Sequence, residues 1–467
     1  MANSDIIAGV DSSTQSVKVV IRDANTGQLL REGRAPHPHG TEVDPALWKS
    51  ALDLAVNDAG GLDGVSAISI AGQQHGMVAL DSDGEVIRPA LLWNDTRSAQ
   101  AALDLNREEG GDAEIARKVG SVLVASFTAT KLRWMADNEA ENAAKVASVA
   151  LPHDWLSWQL QGGKDFSKLF TDRSDASGTG YFDPTTSHYR EDILRLALRH
   201  DLEITLPRII HPHEFGGLTT SGIPIAAGAG DNAAAALGVQ AQPGDVVISL
   251  GTSGTAFAVS DSPTHDPTGA VAGFADATGR FLPLVCTLNA ARILDAATQI
   301  LGKTHLEVGE LALSTSAGAH GLTLLPYFEG ERTPNRPDAT GVFAGMNISN
   351  SNPADIARAM IEGMLCGLTD AVDALIALGV SVQRIVIIGG AAKNSAIPVI
   401  ASALMGREVV VPPAGEYVAN GAAKQAAWAH LGHMPVWNLG DVTHHASTPS
   451  PDVMDRYRTL RDNTAQW

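Results

Sequence analysis

Residues 6–21 read Ile6-Ile7-Ala8-Gly9-Val10-Asp11-Ser12-Ser13-Thr14-Gln15-Ser16-Val17-Lys18-Val19-Val20-Ile21: an apolar run, a polar turn and a β-branched run. The pattern predicts two strands joined by a tip rich in hydroxyls. It returns as Val246-Val247-Ile248-Ser249-Leu250, then Gly251-Thr252-Ser253-Gly254, then Thr255-Ala256-Phe257-Ala258-Val259. Placing Thr14 on Thr252 also places Asp23 on Asp261. A second pair agrees: Val65-Ser66-Ala67-Ile68-Ser69-Ile70-Ala71-Gly72 ends an apolar run at a glycine, and so does Arg384-Ile385-Val386-Ile387-Ile388-Gly389-Gly390. Each half thus offers a polar-tipped hairpin and then a strand stopping at a glycine turn. This predicts an internal duplication, with an N-terminal lobe over 1–238 and a C-terminal lobe over 239–467.

The stretches between read as helices. Pro353, after Ser351 and Asn352, is a start signal, and Ile356, Met360, Met364, Leu368, Val372 and Leu375 recur at helical spacing until Gly379. That helix feeds into the Arg384 strand, and helix followed by strand predicts an α/β architecture. A chain of 467 residues suits two large lobes, and 44% apolar with 18% charged residues predicts a globular protein with a sizeable core. The 33 basic residues against 52 acidic ones leave a net charge of −19, which argues against nucleic acid and anionic membranes as partners. Phosphate substrates stay open, because backbone N–H groups and a metal ion bind them without a basic surface.

Cys286 and Cys366 are too few for a disulfide framework, which predicts a reducing, cytoplasmic setting. Asp5 and Asp11 bracket the first apolar run, unlike a signal peptide, and no run approaches the roughly 18 apolar residues of a membrane span.

Several turns could carry chemistry. Gly389-Gly390-Ala391-Ala392-Lys393-Asn394-Ser395 follows a strand and precedes an apolar run, so its backbone N–H groups could face an anion, although tight helix-on-strand packing is the more common reason for such glycines. Gly251-Thr252-Ser253-Gly254 offers the same at a hairpin tip, and Asp11 with Thr14 sets a carboxylate and a hydroxyl on the matching tip, where Mg²⁺ could be held. Gly228-Ala229-Gly230-Asp231-Asn232 puts a carboxylate between a strand and an alanine-rich helix, either within reach of a substrate or as a helix cap. Gln73-Gln74-His75-Gly76 and Trp93-Asn94-Asp95-Thr96-Arg97 place hydrogen-bonding side chains after apolar strands, which suits a polyhydroxylated ligand. Glu329-Gly330-Glu331-Arg332-Thr333-Pro334 could pair Arg332 internally or bind a ligand.

In this order, Gly72–Gly76, Trp93–Arg97, Gly230–Asn232, Ser249–Gly254, Gly330–Pro334 and Ile388–Gly390 resemble the motifs of the FGGY family of carbohydrate kinases, across nearly the whole chain from Asp11 to the Gly421 region. The resemblance implies a two-lobed, actin/hexokinase-like ATPase fold, a duplicated RNase H-like core with a central cleft for sugar and ATP. It also implies ATP-dependent phosphorylation of D-xylulose at O5 to D-xylulose 5-phosphate, with Mg²⁺, in the cytoplasm, and a homodimer. By the same resemblance, Asp231 is the general base and Asp11 places Mg²⁺ and the phosphates. Gln74, His75, Asn232 and Trp93 would then serve the sugar, and Thr14, Gly251, Thr252, Gly389, Gly390 and Asn394 the nucleotide. The family usually has a glycine just before Thr14; a positive φ there would strain Ser13. Other family sugars, ribulose, gluconate or glycerol, are the alternatives. An actin-like ATPase that only switches shape is the reading from another class; it would have no use for a base at Asp231.

Overall fold

The computed structural model describes residues 5–201 and 203–466, which form two compact units. In the first, Ile6–Ser12, Ser16–Asp23 and Leu29–Pro36 make an antiparallel meander. Val65–Gly72 lies parallel to Ile6–Ser12 on its other side, with Pro224–Ala226 and Ala229–Gly230 parallel to it in turn. These central strands are rich in Val, Ile and Ala because both of their faces are covered. One face packs on the helix Pro45–Asp58, capped by the Asp44 carboxylate on the Ala46 amide and burying Trp48, Ala51, Leu52 and Ala55. On the other face, Ile7, Val20, Ala67 and Ala226 meet Ala419, Ala423, Ala426 and Ala427 of the helix Tyr417–Leu431, and Trp437. That helix sits so close that a Cβ on Gly9 would lie 2.2 Å from the Ala419 carbonyl, and one on Gly421 would lie 1.8 Å from the Ala234 carbonyl.

The second unit repeats the plan. Asp245–Leu250 and Gly254–Ala258 pair antiparallel, and the latter pairs antiparallel with Phe281–Thr287. Arg384–Ile388 lies parallel to Asp245–Leu250, and Glu408–Val411 parallel to it. The helix before the parallel strand, Pro353–Ala377, starts at the proline as its spacing predicts, and the Asn352 side chain accepts the Asp355 amide 3.1 Å away. Meander, helix, parallel strand and next parallel strand thus recur in one order and direction. This is the duplicated RNase H-like core of the actin/hexokinase-like ATPase fold.

The units do not follow a single cut at residue 238. The first comprises residues up to Gln240 together with Asp261–Leu282 and Glu416–Asn438; the second comprises Ala241–Ser260, Pro283–Gly415 and the chain from Leu439. The physical reason is apolar: the alanine face of Tyr417–Leu431 finds its partner on the first sheet. Asp261–Leu282 is tied to the first unit by backbone, through Gly273 N–H on the Gly120 carbonyl at 2.9 Å. Among the described residues no helix is long and apolar enough to cross a membrane.

Candidate active site

In the first unit three parallel strand ends stand side by side. Asp11 and Ala229 flank Ala71 in register, and Ser12 and Gly230 flank Gly72. Carboxyl ends of parallel strands are where open α/β sheets bind ligands. The alignment gathers Asp11, Gln73 to His75 and Asp231 from three distant parts of the sequence.

Asp231 opens the helix Asp231–Gly238, and its Oδ1 accepts both the backbone N–H and the side-chain amide of Asn232 at 2.8 Å. Burial, and then the charge of Asp11, push the Asp231 carboxyl up to about 7 against those two hydrogen bonds. A carboxylate poised there suits proton abstraction at neutral pH. Asp11 is itself buried, which raises its pKa, while Lys18 and the Ser13 hydroxyl oppose the rise. The Ser13 hydroxyl donates to Oδ1, and the Lys18 ammonium stands 3.6 Å from Oδ2 while bonding Glu416 at 2.5 Å. Asp11, a buried carboxylate whose charge raises the pKa of Asp231, offers hard oxygen donors that fit Mg²⁺, which uses one or two carboxylates and completes its shell with phosphate and water.

Ser13 is not among the residues with positive φ, so the strain expected of a serine in that turn does not arise. Of the sequence-predicted site residues other than glycine, His75 adopts the left-handed region, at φ 71°. Its Nδ1 lies 2.6 Å from the Gly178 carbonyl. A carbonyl only accepts, so Nδ1 carries a proton. The ring packs on Phe127 at 4.8 Å and Phe274 at 5.7 Å between centroids. Gln74 donates from Nε2 to the Ser174 carbonyl at 3.1 Å. Trp93 donates from Nε1 to the Thr14 hydroxyl at 2.8 Å, and that hydroxyl donates to Gln73 at 3.3 Å. Thr14, expected on the nucleotide side, therefore has its hydroxyl tied into the network of Trp93 and Gln73. Asp95 and Arg97 of the same motif pair with one another at 2.8 Å and 2.9 Å and brace Thr41 and Glu42.

In the second unit the turn after Asp245–Leu250 exposes Gly251 and Thr252, and the neighbouring parallel strand ends at the exposed Gly389 and Gly390. Gly389 has φ +97°, and a Cβ there would meet the Leu250 carbonyl at 2.5 Å, so two backbone turns lie against each other at one sheet edge. Such turns suit phosphate binding by backbone N–H groups. Asn394 is buried, donating to the His305 carbonyl at 2.7 Å and accepting from the Ala396 amide at 3.0 Å, so its amide clamps the turn behind this edge. Glu331 is buried too and holds the Leu288 and Arg332 amides at 2.7 Å and 2.8 Å, which anchors the Gly330–Pro334 motif internally.

Sequence reasoning missed two features of the first unit. Lys131 is wholly buried and donates to the Ala125 and Ser126 carbonyls beside Phe127; burial lowers its ammonium to about 7. Its helix Thr128–Asn138 carries Arg133 and Asp137 as well, so nothing in the local sequence marks this lysine as buried. The polar segment Asp172–Thr179 escaped as an unremarkable loop, yet it touches Gln74, His75 and Gly230.

Comparison with known proteins identifies the family. Residues 6–238 match the N-terminal domain, and residues 246–430 the C-terminal domain, of the FGGY family of carbohydrate kinases. The chain is 43% identical over 443 residues to the xylulose kinase of Streptomyces coelicolor, covering 91% of this chain and 88% of that one. It is 42% identical over 449 residues to the xylulose kinase of Streptomyces rubiginosus, covering 93% and 90%. The crystal structure of xylulose kinase from Bifidobacterium adolescentis matches with a TM-score of 0.91 and 45% identity, over 98% of this chain and 99% of that one. With a repeated core, a raised carboxyl at its strand ends and both family domains matched in order, the chain belongs to the FGGY family of carbohydrate kinases.

Proposed function

We propose that this chain transfers the γ-phosphoryl group of ATP to O5 of D-xylulose, giving D-xylulose 5-phosphate and ADP. The observation that carries the reading is Asp231, a carboxyl pushed up to about 7 where three parallel strands end, beside Asp11 and next to Gln74 and His75. The extended likeness to xylulose kinases supports the choice of sugar.

Asp231 takes the proton of the O5 hydroxyl as that oxygen forms its bond to the γ-phosphorus and the bond to the β–γ bridging oxygen of ATP breaks. Asn232 keeps the Asp231 carboxylate oriented, while Gln74, His75 and Trp93 hold the sugar. Phosphoryl transfer needs little covalent help, so alignment and charge neutralisation supply most of the rate. Backbone N–H groups of Gly251, Thr252, Gly389 and Gly390 serve the phosphates. Asp11 would hold Mg²⁺, which when bound neutralises phosphate charge. An enzyme that spends ATP on a free sugar works in the cytoplasm.

The test is ADP release with MgATP alone and with D-xylulose, D-ribulose, L-ribulose, glycerol and gluconate in turn. Dependence on D-xylulose supports the reading; preference for another of these replaces the substrate. ATP turnover without any sugar refutes it in favour of an actin-like ATPase.

A further inference from the structure

His153, Asp154, Asp172 and Asp175 form a cluster with no more than 2% exposure at any member. The His153 Nδ1 lies 2.7 Å from Asp175 and 3.0 Å from Asp154, and Nε2 lies 3.8 Å from Asp172. Facing carboxylates hold the imidazole as imidazolium, well above its usual pKa. The ring fills a slot that only glycines leave open: a Cβ on Gly228 would strike its Cδ2 at 2.3 Å, and one on Gly72 would come within 3.0 Å of its Cβ. An ion pair buried this deeply contributes little net stability, so its value lies in fixing geometry.

The geometry it fixes is that of the sugar site. Asp172 caps the turn Arg173–Ala176, accepting the Ser174 amide at 2.7 Å and the Asp175 amide at 3.0 Å. From that turn the Ser174 carbonyl accepts from Gln74, and the Ser174 hydroxyl accepts the Gly230 amide at 3.0 Å, one residue before Asp231. Two residues past the turn, the Gly178 carbonyl accepts from His75. One segment thus contacts Gln74, His75 and the residue preceding the base, and no direct contact of the segment with the reacting atoms is needed.

Resting on the kinase reading above, we propose that Asp172–Thr179, locked from beneath by the His153–Asp175 pair, is the template that positions Gln74, His75 and Asp231, with Ser174 and His153 as positioning residues for phosphoryl transfer. Small displacements of such groups cost about 10²-fold in rate.

The test compares the whole chain with its Ser174→Ala, His153→Gln and Asp231→Asn variants, measuring ADP release while sugar and ATP are varied separately. Ser174→Ala should raise KM for the sugar about tenfold, lower kcat about tenfold, and leave KM for ATP in place. His153→Gln should act in the same direction, with about 10²-fold lost in kcat/KM for the sugar. A purely structural role would reduce the active fraction, lowering kcat with both KM values unchanged, and that outcome overturns the proposal. So does wild-type behaviour of Ser174→Ala. Should His153→Gln fail to fold, Ser174→Ala, which leaves the ion pair whole, decides the matter. A wild-type chain that phosphorylates no sugar defeats the kinase reading, whereas an active wild type with an unaffected Ser174→Ala and an inactive Asp231→Asn defeats this inference alone.

Discussion

Replacing Asp231 with asparagine should make the protein more stable and far less active, and the gain should grow with pH. The folded state holds this carboxyl near 7 against an ordinary value of 3.8. Because the folded pKa is the higher one, the favourable contribution is complete below about pH 4 and is lost as pH rises through 7. At pH 8.5 the loss corresponds to about three pK units and at pH 5.5 to about half of that. At about 1.4 kcal/mol per unit these are about 4 and about 2 kcal/mol. Solvent reaching this half-buried carboxylate screens both, to about 2 and about 1 kcal/mol. Asparagine fills the same space without a charge at any pH. With about 2 °C per kcal/mol for a chain of this size, Asp231→Asn should melt about 4 °C above the wild type at pH 8.5 and about 2 °C above it at pH 5.5. The assay is differential scanning calorimetry in EDTA, with no nucleotide, so that only the protein's own charges act. A stability gap that is constant with pH, or that reverses, refutes the argument. In the same variant, sugar-dependent ADP release should fall about 10²- to 10⁴-fold.

Three further outcomes follow from the same geometry. The kcat/KM of the wild type should fall tenfold per pH unit below about 7, since the base must be ionised to accept a proton, and a flat profile between pH 5.5 and 7 in steady-state kinetics would contradict it. Gly421→Ala should cost about 3 kcal/mol or more, read as a lowered denaturation midpoint, because its Cβ would overlap the Ala234 carbonyl. Ser13→Gly should relieve no backbone strain and should weaken Mg²⁺ binding by removing the hydroxyl that stabilises the Asp11 carboxylate, raising the Mg²⁺ concentration for half-maximal turnover by about two- to fivefold.

Much of this was legible because it was local. The hairpins Ile6–Asp23 and Asp245–Ala258 announce themselves by alternation of apolar runs and polar tips, and a strand ending at Gly72 or Gly389 needs no partner to be recognised. The Pro353–Ala377 helix is written in its spacing. Asp231 is singled out as the base by the family resemblance, since its place between a strand and a helix leaves a helix cap equally open. What stayed hidden depends on register between remote segments. Nothing near Thr14 says that Trp93 will reach its hydroxyl, and nothing near Asn394 says that its amide will turn toward His305. The left-handed backbone of His75 follows from contacts with Gly178 and Phe127, which lie far away in sequence. Asp172–Thr179 has neither period nor spacing; its role exists only once three strand ends lie beside it.

The helix Tyr417–Leu431 bears on how the chain is made. It covers the Ile7, Val20 and Ala67 face of the first sheet, so that face has no complete partner until nearly the whole polypeptide has left the ribosome. Synthesis from residue 238 to residue 431 takes about 10–40 s, and through that interval a nascent N-terminal half carries an open apolar surface. A message broken off before codon 417 yields a product that keeps every sugar-site residue named here and lacks the lid of its core, which marks it for chaperones and proteases before it can act on any sugar.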